Sequence, residues 1–317
     1  MNPISSSSLF HFTTSLETLF KILTNGFRYS YAFERFSSKL LNDRIYDGVL
    51  EINQTSSLEN CGIAIPMVSF CDIPITRTLP HAERYGKYFI GFNKGLLSHM
   101  LNPVFNPVIY GISSNLSDAI SFFSKSRKLS NQRLQYLFNA SRSKLEIISK
   151  DIDLSSISHN ELLEKMPTEI MSEFDTGING RFFSHFLLAL YQPVNGMDAY
   201  GNECCFYDER EWRAVIMNGV HEYMPWHIGC SASEYLKHKD SWNDILTKHS
   251  DAYITLSPNI LRHISHIGVK FEDEVEFIAD FIMNDTDVLF GYNEVSDVIR
   301  LELISKITSF ERIENNY

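Results

Sequence analysis

The stretch LFHFTTSLETLFKILTNGF, residues 9–27, decides the architecture that this sequence predicts. Apolar residues at 9–12 favour a strand, and leucine or phenylalanine then recurs every three or four residues over 15–25, which is typical of a helix with one buried face. Thr14 or Ser15 supplies an N-cap, and Asn25-Gly26 supplies a C-cap. The chain is therefore expected to open with a strand that leads directly into a short helix packed on a sheet.

Further segments of strand type are spread along the chain, which predicts an α+β fold with a mixed, antiparallel or split β-sheet and flanking helices. Residues 27–60 are polar and mixed, and they predict a long excursion from this sheet. The predicted strands are 62–71, 85–92, 102–110, 203–207, 212–216, 252–256 and 264–269, followed by a helix over 271–282 with Val275, Phe277, Ile278 and Phe281 inward and a strand-rich segment over 298–308.

Residues from about 115 to 190 have a helical rather than a strand-like pattern. No linker rich in glycine, proline or serine separates this stretch from its surroundings. We therefore predict a single domain over residues 1–317 with a helical insertion at about 115–190.

The composition is that of a globular, acidic protein. Of the 317 residues, 44% are hydrophobic, and 28 Lys and Arg stand against 39 Asp and Glu, which gives a formal net charge of −11. This balance disfavours a broadly basic nucleic-acid-binding surface. No apolar run approaches the roughly 20 residues that span a bilayer, and the N-terminus has no signal-peptide pattern, so a cytoplasmic protein without membrane attachment is expected. Five cysteines at irregular spacing predict reduced thiols and no metal site.

Polar residues that could take part in catalysis or binding lie at the ends of three of the predicted strands. His11 and Thr13 lie at the first strand-to-helix turn, beside a helix N-terminus that favours anions. Glu209 and Glu211 are two apart, so on a strand both side chains would share one face. Their pairing favours either a two-carboxylate site or a solvent-facing edge with salt bridges to Arg210 and Arg213. The third group is Ser69 and Cys71 with the following His81, Arg84 and Tyr85.

An ordered set of segments resembles the abortive phage resistance AbiGi-like proteins. The matching segments are HFTTSLETLFKILTNGF, IPMVSFCDIP, HAERYGKYFIGFNKG, NPV and YDEREWR, which together span residues 9 to about 216. The opening segment and the Glu209-Arg210-Glu211 turn are also similar to ADP-ribosyltransferases of the diphtheria-toxin and poly-ADP-ribose polymerase type. Ser69-Phe70-Cys71 departs from the Ser-Thr-Ser that is usual in that superfamily.

This resemblance implies an ADP-ribosyltransferase-like protein of a bacterial anti-phage or toxin–antitoxin system. Its substrate would be NAD, and it would transfer ADP-ribose to a protein or nucleic-acid target. By resemblance, Glu211 stabilises the oxocarbenium-like state near the ribose 2′-hydroxyl, and Glu209 orients or deprotonates the acceptor. The implied NAD-binding residues are His11 and Thr13 for the adenosine ribose or phosphates, Ser69 near the ribose, Arg84 for a phosphate, and Tyr85 or Tyr88 for the nicotinamide.

Two other functions fit the same residues. A transferase fold without activity would serve as an antitoxin or binding partner of a cognate toxin, since a fold does not fix a function. A metal-dependent nuclease would use Asp208, Glu209, Glu211 and a histidine, although Arg213 stands where a lysine would follow.

Overall fold

A computed structural model describes residues 6–35, 61–97, 105–111, 189–215, 228–249 and 252–316. Nearly all of them belong to one compact unit formed by Met1–Arg35, Asn60–Gly111 and Leu190–Tyr317. A second unit comprises Phe36–Glu59 and Ile112–Ala189. Apart from its last two residues, the insertion predicted at about 115–190 lies outside the described residues, so the insertion and the single domain stay predictions.

The described part of the chain alternates short strands and helices. Its strands are β1 (Ser8–Thr13), β2 (Phe27–Arg28), β3 (Ser30–Arg35), β4 (Cys61–Cys71), β5 (Tyr88–Asn93), β6 (Phe105–Pro107), β7 (Ile109–Gly111), β8 (Tyr191–Pro193), β9 (Asn195–Met197), β10 (Glu203–Cys205), β11 (Glu211–Val215), β12 (Ile228–Ser231), β13 (Tyr253–Ile254), β14 (Ile264–Val269), β15 (Val288–Leu289), β16 (Tyr292–Asn293) and β17 (Ile307–Ser309). Its helices are α1 (Leu16–Asn25), α2 (Leu79–Tyr85), α3 (Lys94–Leu97), α4 (Ala232–Leu246), α5 (Pro258–Leu261), α6 (Glu274–Asp280), α7 (Asp297–Ile304) and α8 (Phe310–Asn316). In the described ranges, no helix has the length and apolar character needed to cross a membrane.

A nine-stranded mixed sheet organises the compact unit. Seven strands follow the order β17-β14-β5-β1-β4-β11-β6, and β3 and β12 also pair with β4. The β14–β17 pair is parallel, whereas the remaining pairs of this sheet are antiparallel. The predicted combination of helices with a mixed sheet is therefore confirmed. A specific ADP-ribosyltransferase arrangement is not established by this topology.

Strand β4 is the element at which the sheet branches. Its first half, residues 61–67, pairs with β12 and β3, and its second half, 67–71, pairs with β11. The strand is a nearly continuous apolar run, CGIAIPMVSFC, as expected when both faces are covered. The branch lets residues of β3 and β11 meet although they pair with different halves of β4.

The opening motif folds as predicted. Helix α1 starts at Ser15, whose hydroxyl accepts a hydrogen bond from the Thr18 N–H, and its inner face buries Leu19 and Leu23. The helix ends at Gly26, where φ is 88° and an added Cβ would lie 2.2 Å from the Ile254 carbonyl oxygen. Only glycine fits this backbone, so the turn from α1 into β2 depends on it.

In the C-terminal part of the chain, one predicted segment and the direction of one side chain are wrong. The segment 298–308 is mostly helix α7, because Ile299 and Leu303 lie four residues apart on a buried face. The predicted helix over 271–282 forms as α6 and a π turn, but Phe277 is exposed rather than inward.

Three boundaries also differ from the sequence prediction. Residues 27–35 do not leave the sheet region, since they form β2 and β3. The segment 85–92 is divided between the last residue of α2 and strand β5. Strand β10 ends at Cys205, and a 3₁₀ turn over Phe206–Glu209 follows it.

Candidate functional site

A cavity of about 940 Å³ lies against strands β1, β3 and β4. All seven residues that the sequence analysis selected line it, namely His11, Thr13, Ser69, Arg84, Tyr85, Glu209 and Glu211. Tyr88, the alternative to Tyr85, is not among the lining residues, and its hydroxyl donates a hydrogen bond to Glu274. The fold therefore gathers segments from three distant parts of the chain around one space.

The sheet order explains why these segments meet. Strand β4 has β1 on one side and β11 on the other, and Cys71 pairs with both Phe10 and Glu211. Helix α2 follows β4 in the chain and contacts β1, which places its last turn, with Arg84 and Tyr85, at the cavity. Thr13 ends β1 on the same side.

A hydrogen bond to strand β4 and burial together favour a neutral His11 with its proton on Nδ1. Its Nδ1 lies 2.8 Å from the Ser69 carbonyl oxygen. A carbonyl only accepts hydrogen bonds, so Nδ1 carries the proton and Nε2 keeps its lone pair. Burial against Phe27 and Phe70 lowers the pKa of His11, which favours the neutral ring. The residue can accept a hydrogen bond through Nε2.

Glu211 takes part in a buried ion cluster that the sequence did not reveal. The Arg213 Nη2 donates to Glu211 Oε2 at 2.8 Å and to Glu34 Oε1 at 2.7 Å. The Arg213 side chain is 1% exposed, and the two glutamate side chains are 9% and 10% exposed. The Glu211 N–H donates to the Tyr110 hydroxyl at 2.7 Å. Both ends of Glu211 are thus held in place by neighbouring groups.

The prediction that Glu209 and Glu211 share a strand face is wrong. Glu209 closes the 3₁₀ turn, and Arg210 follows with φ 45° in the left-handed region before β11 begins at Glu211. The alternative prediction of a solvent-facing edge is also wrong, because β11 lies between β4 and β6. The ion pair between Glu211 and Arg213 is buried. The two carboxylates reach the same cavity from a turn and from a strand.

Glu209 is held by the last turn of α2. Its Oε1 accepts hydrogen bonds from Arg84 Nη1 at 2.7 Å and from the Tyr85 hydroxyl at 2.8 Å. Arg84 also lies 3.7 Å from Asp198 Oδ2 and donates to Cys204 Sγ at 2.8 Å. The Arg84 guanidinium covers the Tyr85 ring at 5.1 Å. This arrangement fixes one carboxylate oxygen of Glu209 at the cavity wall.

The close carboxylates perturb one another. Burial, together with the charge of Glu211, raises the pKa of Glu209 to about 7. Burial also raises the pKa of Glu34, and the nearby Arg213 only partly offsets this effect. Burial and the charge of Arg84 lower the pKa of His81 to about 4. Titratable groups whose pKa values are shifted in this way cluster at functional sites more often than elsewhere.

Several residues of the site were missed by the sequence analysis. Glu34 falls in the segment interpreted as an excursion, although the alternation in SYAFER, residues 30–35, is a strand signal. Arg213 was expected at the surface, yet its spacing of two from Glu211 places both side chains on one face. For Tyr110 and Gln192 no local signal exists, because their position depends on the pairing of β7 with β8.

The residues of the nuclease alternative do not form a metal site in the described part of the chain, although Glu209 and Glu211 line one cavity. Asp208 is exposed on the 3₁₀ turn, and Glu211 is already paired with Arg213. Within the described ranges, no group of three or more His, Cys, Asp or Glu is arranged to hold a metal ion. Cys71, Cys204, Cys205 and Cys230 are free thiols.

The raised pKa of Glu209 predicts a pH-dependent stability. Between pH 4.5 and about 7, the folded state binds more protons at this site than the unfolded chain does, so Glu209 lowers the free energy of unfolding as the pH rises. The variant Glu209→Gln cannot ionise. Its free energy of unfolding relative to wild type is expected to rise by roughly 1–3 kcal/mol from pH 5 to pH 8.

Urea unfolding at several pH values measures this difference. The exposed Glu276 on α6 offers the control substitution Glu276→Gln, which removes a carboxylate far from the cavity wall. A difference between Glu209→Gln and wild type that stays constant with pH would show that Glu209 ionises alike in both states.

Comparisons with known proteins place the chain in a family. A family model described as "Putative abortive phage resistance protein AbiGi, antitoxin" matches residues 45–255, about two thirds of the chain. The match includes β4, the 3₁₀ turn and β11, whereas the opening segment 9–27 precedes it. No curated protein and no solved structure matches, and the resemblance to ADP-ribosyltransferases finds no support in these comparisons. The chain belongs to the AbiGi family of abortive phage resistance proteins.

Proposed function

We propose that this protein is the antitoxin of an abortive-infection system and that it protects its host by binding a cognate toxin. The observation that carries the proposal is the match to the AbiGi family, whose description names an antitoxin, over residues 45–255. This range contains Glu209, Glu211 and Arg84, which line the cavity. Recognition of a toxin by binding requires a specific surface and no chemical step.

The state of the cavity carboxylates supports a binding role. Glu211 shares a guanidinium with Glu34, and Glu209 accepts from both Arg84 and Tyr85. Each of these carboxylates is therefore held in one orientation before a partner enters the cavity. Carboxylates held in this way form a fixed pattern of charge and acceptors, which suits specific recognition.

Growth in a bacterial host tests the antitoxin function. The full chain is expressed alone and together with its cognate toxin. We expect normal growth of cells with the chain alone, and at least a hundredfold gain in colony count when the chain accompanies the toxin.

The matched control is the same gene with a stop codon in place of Ile63, which keeps the messenger but removes nine of the eleven residues of β4 and everything after them. Growth arrest by the chain alone, or protection by the truncated gene, would refute a protein antitoxin.

NAD-dependent ADP-ribosyl transfer is the second candidate function. It is favoured by the convergence of the seven selected residues on one cavity, whose volume of about 940 Å³ lies in the range of cofactor-sized sites. Cleavage of the nicotinamide–ribose bond develops positive charge on the ribose, and Glu209 and Glu211 supply negative charge at the cavity wall. The neutral His11 would accept a hydrogen bond from a ribose hydroxyl.

Release of nicotinamide tests this candidate. Purified protein is incubated with NAD and cell lysate as the source of acceptor, and nicotinamide is measured by chromatography. A transferase is expected to lose at least a hundredfold of its rate in Glu209→Gln, while Glu203→Gln, an exposed glutamate on the cavity wall, keeps most of it. Wild-type protein that releases no nicotinamide would eliminate the candidate.

A further inference from the structure

Among the residues that the structure describes, the inner wall of the cavity carries more negative charge than the guanidiniums bonded to it compensate. Three carboxylates, Glu34, Glu209 and Glu211, line the cavity and are named here the carboxylate cluster. Two guanidiniums are bonded to them, Arg213 behind the wall and Arg84 at its side. Three negative groups against two positive groups leave at least one excess negative charge when all are ionised, and Asp198, 3.7 Å from Arg84, shares one of the two guanidiniums.

The mutual repulsion of the three carboxylates agrees with this count. The charges of Glu211 and Glu209 both act to raise the pKa of Glu34, and the charge of Glu211 raises that of Glu209. Arg28, another arginine that lines the cavity, has no ion pair with the cluster in the described ranges. One monovalent cation would complete the balance.

A second, independent feature of the cavity is a buried acceptor that lacks a hydrogen-bond donor. Gln192 lines the cavity, is 4% exposed, and its Oε1 accepts no hydrogen bond. Gln192 pairs in register with Tyr110, whose hydroxyl contacts the Glu211 N–H. A buried acceptor without a donor is costly, and a ligand that brings N–H groups relieves this cost.

The cavity wall next to the cluster also suits a flat cation. The rings of Phe12, His81 and Tyr85 form a continuous aromatic row, with centroids 5.0 Å and 4.5 Å apart. Because the protein's own Arg84 lies over the Tyr85 ring, the rings of Phe12 and His81 are the part of this row left for an incoming cation. A diphosphate, by contrast, would add negative charge beside the cluster.

We infer that the carboxylate cluster receives the guanidinium of an arginine side chain presented by the cognate toxin. The inference rests on the proposed antitoxin function and specifies the chemistry of its partner. Guanidinium is the side chain whose planar set of five donors matches carboxylate and amide oxygens at several points at once. Lysine offers the same charge as a single point and fewer donors, so it fits the site less well.

Binding of a small probe tests the site directly. The full chain is titrated by calorimetry with N-acetyl-L-arginine methylamide and with the uncharged isostere N-acetyl-L-citrulline methylamide. We expect measurable binding of the arginine probe and at least tenfold weaker binding of the citrulline probe. Equal binding of both probes, or binding of neither at 20 mM, would overturn the inference.

Variants connect the probe to the named residues. Glu209→Gln and Gln192→Leu are each expected to weaken the arginine probe at least fivefold, while Glu276→Gln, outside the cavity, leaves its affinity unchanged. Circular dichroism verifies that each variant is folded. If Glu209→Gln does not fold, the affinity of Gln192→Leu for the arginine probe tests the site. Unchanged affinity in a folded cavity variant argues against the site, as does micromolar binding of NAD that displaces the arginine probe.

The growth experiment separates this inference from the antitoxin function. Protection by wild type that is reduced at least tenfold in Glu209→Gln supports both. Protection that persists fully in Glu209→Gln refutes the arginine site and leaves the antitoxin function intact. Failure of the wild-type chain to protect refutes the antitoxin function itself, whatever the probe titration gives.

Discussion

The shared guanidinium of Arg213 is the interaction on which this site depends. It is fully buried and bonds Glu34 of β3 and Glu211 of β11, two strands that pair with different halves of β4. Moving three charged groups out of water is unfavourable, and only close mutual contacts offset that cost. The cluster therefore favours one relative placement of β3 and β11, and with it one shape of the cavity wall.

The other polar contacts of the cavity build on this placement. Glu211 precedes the strand residue Arg213, and the left-handed Arg210 turns the chain so that Glu209 meets the end of α2. The Tyr110 hydroxyl accepts from the Glu211 backbone and brings the β7–β8 pair against the same wall. A network in which each carboxylate has a fixed partner presents an ordered pattern of acceptors to whatever enters the cavity.

Local signals in the sequence were sufficient for part of the fold. The strand β1, the capped helix α1 and the apolar strand β4 were predicted correctly, because caps and continuous apolar runs are properties of neighbouring residues. Helix α7 was not, since its β-branched residues also suit a strand and only the buried face at Ile299 and Leu303 distinguishes the two.

The site itself was only partly accessible to sequence reasoning. The seven selected residues do line one cavity, but they were selected through a family resemblance as much as through their spacing. The contact between Glu34 and Arg213 joins positions 179 apart, so no periodicity could reveal it. Pairing of distant strands, not local propensity, decides such contacts.

The most direct measurement compares the free energy of unfolding of wild type, Arg213→Met, and the triple variant Glu34→Gln, Glu211→Gln, Arg213→Met at pH 8. Truncating Arg213 alone leaves two buried carboxylates without their partner, and we expect the free energy of unfolding to fall by about 3–5 kcal/mol. The triple variant removes those charges and should regain most of that loss. A single variant within about 1 kcal/mol of wild type, or a triple variant no more stable than the single one, would contradict the central role of the buried ion cluster.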